Sequence, residues 1–304
     1  MGAVSGASKK VTKLEAKTAV SVLIPVFNEE ADIEACIRSV QWAADIVVVD
    51  SGSLDGTCEL AAKCGARVVQ FHYVPGGPKK KNWALGNVDF KYEWILILDA
   101  DERVTAPLAA EIHDAMLSKP DDVRGFYINR RFYFLNRWIR HAGYYPSWNL
   151  RLLRRGSGTY EQLPDLDSVA GDNEVHEHIL LKGRAAFLSE PMDHFAFPSV
   201  YVFIEKHNRY SSWEAQVGRR YLEVPKNDGH MAGHLAWRRL LKRLGRSLPF
   251  PGVQRFAFHY FIKLGFLDGK EGYVFCRLLA EYEFLIWAKT IESRLMDGSC
   301  NTAR

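Results

Sequence analysis

The 304-residue chain is poor in cysteine, and the five it has (Cys36, Cys58, Cys64, Cys276 and Cys300) show no Cys-x-x-Cys spacing. That odd, irregular set excludes a disulfide framework or a zinc-binding cysteine cluster and fits a reducing compartment such as the cytosol. Long apolar runs are also missing. The apolar passages near the C-terminus are interrupted by Arg255, Lys263, Arg277, Glu281 and Glu283, well short of the roughly 20 apolar residues a membrane-spanning helix requires. Residues 1–19 carry Lys9, Lys10, Lys13 and Lys17 without the apolar stretch of a signal peptide, so they are expected to form a flexible leader. No Gly-x-Gly-x-x-Gly loop and no Walker-type phosphate loop occurs, so any bound phosphate has to be neutralised by side chains or a metal. The net charge of +4 is too small to point to nucleic acid.

What is present is a regular alternation between residues 20 and 117. Strands are expected at 20–26, 45–49, 67–71 and 94–98, and helices at 30–42, 55–64, near 81–87 and at 105–117. Ile33, Cys36, Ile37 and Val40 share one helical face, and the Val-rich strands lack polar alternation, as strands do when helices cover both faces of a parallel sheet. The pattern predicts an α/β, doubly wound parallel sheet with helices on both faces. Ligands of such sheets bind beyond the C-terminal strand ends. Three of these ends are polar: Pro25-Val26-Phe27-Asn28-Glu29, Asp50-Ser51-Gly52-Ser53-Leu54-Asp55-Gly56-Thr57 and Asp99-Ala100-Asp101. Taken singly, Asn28 and Asp55 read as helix caps and Asp50 as a turn residue; their shared position groups them in one crevice.

Asp99 and Asp101 are the pair that suggests chemistry. Spaced i, i+2 at the end of an apolar strand, they are expected to point the same way, and their mutual repulsion is resolved by a divalent cation such as Mg²⁺ shared with a phosphate ester. Of the lysine triplet Lys79-Lys80-Lys81, which follows Pro75-Gly76-Gly77-Pro78, Lys81 is expected at the phosphate.

Beyond residue 120 the pattern changes. Phe126-Tyr127-Ile128-Asn129 and Trp148-Asn149-Leu150-Arg151-Leu152-Leu153 read as strands, separated by Arg130, Arg131, Arg137, Arg140, His141 and Tyr144-Tyr145-Pro146. Aromatic faces and guanidinium forks suit sugars and anions. After Pro198 the chain reads as helical. Trp237, Leu240, Leu241, Leu244 and Leu248 fall on one face of a segment whose other face carries Arg238, Arg239, Lys242, Arg243 and Arg246, a pattern that suits an anionic membrane surface or packing with a solvated outer face. Phe250, Phe256, Phe258, Tyr260, Phe261 and Phe266 follow directly.

Pro25-Val26-Phe27-Asn28-Glu29, Val49-Asp50-Ser51-Gly52-Ser53-Leu54-Asp55-Gly56-Thr57 and Asp99-Ala100-Asp101, in that order, resemble the family-two glycosyltransferases of GT-A fold. Lys81-Asn82-Trp83-Ala84-Leu85, Asp99-Ala100-Asp101-Glu102, Gly143-Tyr144-Tyr145-Pro146, Leu150-Arg151-Leu152-Leu153-Arg154-Arg155, Val175-His176-Glu177 and Gly265-Phe266-Leu267-Asp268-Gly269 look like the branch containing the lipopolysaccharide-core β-1,4-glucosyltransferases. The likeness spans about residues 20–290. It implies a Rossmann-like GT-A fold, with a mostly parallel central sheet flanked by helices, and an inverting transfer of one sugar, glucose or another hexose, from a nucleotide-diphosphate donor, most often a uridine one, to a glycan hydroxyl. The implied cofactor is Mg²⁺ or Mn²⁺.

By this resemblance Pro25, Phe27, Asn28, Glu29, Asp50, Ser53, Asp55, Lys81, Asn82 and Asp99 are expected at the donor. Tyr144, Tyr145, Arg151 and His176 are expected at the acceptor, and Asp101, Asp99 and His194 at the metal. An inverting displacement needs a general base opposite the leaving group, and Glu177 is the candidate. Ser147 stands where the branch commonly has an acidic residue. Gln216-Val217-Gly218-Arg219-Arg220 lacks the Trp of the Gln-x-x-Arg-Trp found in processive relatives, which favours single addition. The expected organisation is a catalytic domain over 20–197, with a nucleotide-sugar half at 20–120 and an acceptor half at 121–197, followed by a helical, membrane-associating extension at 198–304. Partners are then a UDP-sugar, a lipid-linked glycan and the anionic inner face of the cell membrane, with no nucleic acid. The alternatives are a glycan- or lipid-binding protein without turnover and a sugar nucleotidyltransferase, although the latter group uses a Gly-rich first loop that is absent after Val26.

Overall fold

A computed structural model describes residues 17–118, 122–161, 178–223 and 250–301. Internal contacts divide the chain into two units. The first comprises residues to Arg131 together with the segments around Pro146–Leu163 and Asp172–His194; the second comprises Phe132–Tyr145 and the chain from Phe195 onward.

In the first unit, β1 (Thr18–Val26), β2 (Ala43–Asp50), β3 (Arg67–Gln70) and β4 (Trp94–Ile97) are parallel, in the order β3-β2-β1-β4. The strands are mainly apolar because both faces are covered, and buried Ser21 and Asp45 satisfy each other by a hydrogen bond of 2.8 Å. Val20, Val22, Ile24 and Val26 share one buried cluster with Ile33, Cys36 and Ile37 of α1 (Ile33–Ser39) and with Leu108 and Ile112 of α4 (Ala106–Ser118). Leu23, Val47, Val49, Ile95 and Ile97 face the other cluster with Ala84 of α3 (Lys80–Asn87). The helix expected at 30–42 begins only at Ile33, because Glu29 O turns back to accept the amides of Asp32 and Ile33. The helix α2 (Thr57–Lys63) lies within its expected bounds.

Beyond β4 the direction reverses. After the two-residue β5 (Glu102–Arg103), β6 (Val123–Phe134) pairs antiparallel with β8 (Trp148–Arg154), which itself pairs antiparallel with β4, so the sheet is mixed. The short strand β7 (Arg137–Trp138) pairs with the end of β6. The β6–β8 register runs Phe126↔Leu152 and then Tyr127↔Leu150, which leaves an extra residue, a β-bulge, at Arg151. A hairpin of β9 (Gly158–Tyr160) and β10 (Ile179–Leu181) follows, and β11 (Arg184–Phe187) adds parallel to β6. The strand β12 (Met192–Phe197) pairs antiparallel with β5, setting His194 opposite Glu102.

The second unit has its own core, in which Phe132, Phe134, Ile139 and Ala142 pack with Phe203 of α5 (Val200–Glu223) and with Phe275, Cys276 and Leu279 of the helix Gly269–Asn301. This differs from the expected division. The boundary near 197 falls at 194, and Phe132–Tyr145, expected in the acceptor half, belongs with the helices because its aromatic residues are buried among theirs. Asp268 fixes the turn at 140–141 by accepting the amides of Arg140 (3.2 Å) and His141 (2.8 Å) and pairing with His141 Nδ1 (2.9 Å). Burial lowers His207 to about 4, so it is neutral at physiological pH, stacked on Phe203 at 3.7 Å. Among the described residues no helix is long and apolar enough to cross a membrane. The basic segment from Trp237 to Leu248 lies outside the described residues.

Candidate active site

Parallel strands put the ends of β1, β2 and β4 on one side of the first unit, and two hydroxyl relays tie the first two ends together. Asn28, in the left-handed region at φ 54°, donates its amide to Ser53 Oγ (2.8 Å), and the Ser53 hydroxyl donates to Asp50. Asn is among the few residues that adopt this conformation at small cost. In parallel, the Glu29 amide donates to Thr57 Oγ1 (2.8 Å), and the Thr57 hydroxyl donates to Asp55. Asp55 also accepts the Glu30 amide (3.2 Å), and Asn28 Oδ1 accepts the Leu54 amide (2.9 Å). Gly56 sits so close to Glu30 that a Cβ there would lie 2.8 Å from Oε1.

Asp50 and Asp55 therefore organise the loops: Asp50 accepts the amides of Gly52 and Ser53, as a turn residue does, and Asp55 accepts the Thr57 amide at the start of α2, whose N-cap is Gly56. Burial would raise the Asp50 carboxyl, but the Ser53 hydroxyl and amide outweigh it and hold the group below its ordinary range. Pro25, paired with Val49, lies just behind this ledge.

Beside the ledge is a cleft of about 360 Å³ lined by Phe27, Ser51, Phe71, His72 and Tyr73. Phe27 lies exposed at its mouth. Phe71-His72-Tyr73 is missing from the sequence-based set, although its position immediately after β3, at another C-terminal strand end, carried the same topological signal.

The end of β4 carries a charged cluster. Asp99 pairs with Lys81 Nζ at 2.9 Å and with Arg151 Nη2. Fully buried Glu102 accepts Arg151 Nη2 (2.7 Å) and Arg130 Nη1 (3.2 Å) on Oε1, and the Asp99 amide (3.0 Å) on Oε2. Burial would raise the Asp99 carboxyl, yet the Arg151 guanidinium and the Lys81 ammonium hold it well below the usual carboxylate range. Two basic side chains thus compensate Asp99, the aspartate expected to share a cation with Asp101, and Arg151, expected at the acceptor, lies against Asp99 and Glu102. Within the lysine triplet, Lys80 is buried and donates to Val26 O (2.7 Å), whereas Lys81 reaches Asp99. Asn82 clamps the backbone of Tyr160 through both ends of its amide (2.7 and 3.0 Å), a role that joins α3 to β9.

Asp101 Oδ2 lies 3.5 Å from His194 Nε2, brought there by the β5–β12 pairing. No group of three or more His, Cys, Asp or Glu side chains placed to hold a metal occurs among the described residues. Tyr144 and Tyr145 belong to the second unit. Tyr144 packs on Phe132 (4.9 Å) and Phe275 (4.7 Å), and Tyr145 stands edge-on to Trp138 (5.2 Å). His176 and Glu177 lie outside the described residues.

The model of Glycosyl transferase family 2 matches residues 21–168. The lipopolysaccharide core biosynthesis glycosyltransferase LpsC of Rhizobium meliloti (strain 1021) is 32% identical over 204 residues, covering 66% of this chain and 71% of that protein. An uncharacterized glycosyltransferase of Rickettsia bellii (strain RML369-C) is 27% identical over 288 residues, covering 93% of this chain and 89% of its own. Among solved structures, glucosyl-3-phosphoglycerate synthase from Mycobacterium tuberculosis, in complex with Mn²⁺, UDP and glucosyl-3-phosphoglycerate, matches with a TM-score of 0.30 and 21% identity over 43% of this chain. The chain spans about half (51%) of that structure's length. The chain belongs to glycosyl transferase family 2, and its fold is the GT-A fold.

Proposed function

We propose that the protein is an inverting, metal-dependent hexosyltransferase that moves one sugar from a UDP-sugar to a hydroxyl of a lipid-linked, lipopolysaccharide-core type glycan, forming a β-linkage. The observation that carries this reading is that the Phe27–Tyr73 cleft, the Lys81–Asp99–Arg151 cluster and the Asp101–His194 pair all lie at the C-terminal strand ends of the first unit. A planar base suits the aromatic cleft, and a diphosphate suits the Lys81 end of the cluster. The LpsC likeness supports a lipopolysaccharide-core acceptor.

One carboxylate oxygen and one imidazole nitrogen, from Asp101 and His194, form a donor set that fits Mg²⁺ or Mn²⁺ when diphosphate oxygens and waters complete the shell. When bound, the ion offsets negative charge on the departing diphosphate. The chain's own residues do the remaining work. Lys81 places a cation beside the diphosphate, Arg151 and Glu102 keep Asp99 fixed, and Glu177 is assigned the proton of the attacking hydroxyl as the acceptor oxygen bonds to the anomeric carbon and the bond to the diphosphate breaks.

A thermal-shift panel of nucleoside diphosphates tests the donor. UDP at 100 times its dissociation constant is expected to stabilise the protein by about 2.7 kcal/mol, only with Mn²⁺ or Mg²⁺ present. Equal responses to all bases, or a response indifferent to metal, reject the donor assignment. A binding protein without turnover predicts glycan binding unaffected by metal and no consumption of the nucleotide sugar.

The proposal includes peripheral docking on the inner face of the cell membrane. It is supported by the exposed Phe261, Ile262, Leu264, Phe266 and Leu267 of the second unit, interleaved with exposed Lys263 and followed by exposed Lys270. Cosedimentation with phosphatidylglycerol vesicles is expected and should be lost in the Phe261→Asp/Ile262→Asp variant; retention in that variant rejects this surface.

A further inference from the structure

We propose that Tyr127, Trp148 and Phe187 form an aromatic platform that receives the sugar rings of the acceptor, an inference that rests on the glycosyltransferase reading. The three rings come from adjacent strands β6, β8 and β11. Tyr127 and Phe187 are register partners stacked at 4.9 Å and 18°, and Trp148 stands edge-on to Phe187 at 5.1 Å and 89°. Among the described residues of this sheet's strands, the large apolar side chains that are exposed are Phe187, at 62%, and Trp148, at 40%; the others are buried or half-buried. Three touching rings left open to solvent are an apolar surface that folding alone does not require.

The platform shares a face of the sheet with the charged cluster. Phe126 and Ile128 point into the buried cluster beneath α1 and α4, as does Leu152, while Ala186 packs against it. Side chains alternate along a strand, so Tyr127, Phe187 and Arg151 all point to the opposite face. Trp148 and Arg151, three residues apart, would point to opposite faces in a regular strand. The β-bulge at Arg151 removes that mismatch, and Trp148 lies against Phe187 on the same side as Arg151. The distance along β8 from Trp148 to Arg151 is about 10 Å, the reach of a short oligosaccharide. Arg130 joins the two places, donating to Glu102 (3.2 Å) and to Ser147 Oγ (3.5 Å), and the Ser147 amide is pinned to Asn129 Oδ1 (2.7 Å). Trp148 therefore leaves a fixed turn.

A carbohydrate is the occupant this surface fits. A pyranose ring has an apolar C–H face to lie on an aromatic ring and a hydroxyl rim that stays hydrated or meets nearby amides and guanidinium groups. Continuity with the cluster that holds Asp99 makes that sugar part of the acceptor.

The test is saturation-transfer NMR with a core oligosaccharide released from rough lipopolysaccharide, in parallel with binding of UDP and Mn²⁺ to the same samples. The wild-type protein is expected to bind the oligosaccharide through ring C–H protons. The Trp148→Ala/Phe187→Ala variant should bind it at least about tenfold more weakly, with UDP affinity and melting temperature unchanged, and Trp148→Phe/Phe187→Tyr should retain binding. Undiminished oligosaccharide affinity in the alanine variant, or no oligosaccharide binding by a wild-type protein that binds UDP, overturns the platform. So does the alanine variant turning a dimer into a monomer without changing oligosaccharide affinity, because the occupant is then a second copy of the chain. Loss of UDP binding by the wild-type protein counts against the donor assignment instead, while the oligosaccharide signal still decides the platform.

Discussion

Asp101→Ala is expected to lower sugar transfer by about a thousandfold or more, equivalent to about 4 kcal/mol of transition-state stabilisation, while leaving the fold intact. The side chain is 18% exposed, with His194 among its partners at 3.5 Å. It lies outside the hydrophobic clusters, so the variant is expected to remain folded. What disappears is the oxygen proposed for the cation, and with it the metal dependence of UDP binding. Glu177→Gln separates the two proposed roles, since it should abolish transfer yet keep metal-dependent UDP binding. Isothermal titration of UDP with and without Mn²⁺, beside a transfer assay, checks both variants. An active Asp101→Ala protein, or a Glu177→Gln protein with full turnover, contradicts the corresponding assignment.

Glu102→Gln is expected to have the largest effect on stability. Glu102 is fully buried, and its two oxygens serve Arg151, Arg130 and the Asp99 amide. An amide at this place offers one oxygen and turns two hydrogens toward donors. Removing one member of a buried ionic network typically costs about 3–5 kcal/mol, a fall of roughly 10 °C or more in a unit of this size. Urea unfolding measures it, and a loss below about 1 kcal/mol would show that water or rearrangement replaces the carboxylate. The same cluster sets the acid limit. The Asp99 carboxyl titrates well below its unfolded value, so its contribution is fully present above that value, about 3.9, and fades as the pH falls through the depressed folded one.

The alternation of strands and helices was legible in the sequence because burial on both faces leaves an unmistakable run such as Trp94-Ile95-Leu96-Ile97. Of the lysine triplet, Lys81, expected at the phosphate, lies beside Asp99, whereas Lys80 donates to Val26 O at the end of β1. The partners of Arg151 are not legible in its own segment, because Asp99 lies beyond the end of β4 and Glu102 on β5, and the β6–β8 register shift that sets off the bulge is invisible in one strand's sequence. Asp50 and Asp55 illustrate a different limit. A carboxylate at a strand end has the same letter whether it meets a ligand or braces its own loop, and only the Ser53 and Thr57 hydroxyls reveal the second role. Tyr144, expected at the acceptor from its motif, packs its ring on Phe132 and Phe275, contacts that its sequence neighbours do not reveal.

The paired relays through Ser53 and Thr57 also bear on how this enzyme could be re-engineered. Each hydroxyl takes a proton donor from one loop and gives its own proton to an acid of the other. Grafting a single loop from a relative would strand a backbone amide on one side and a carboxylate on the other, so chimeras that alter donor preference must exchange residues 27–30 and 50–57 together.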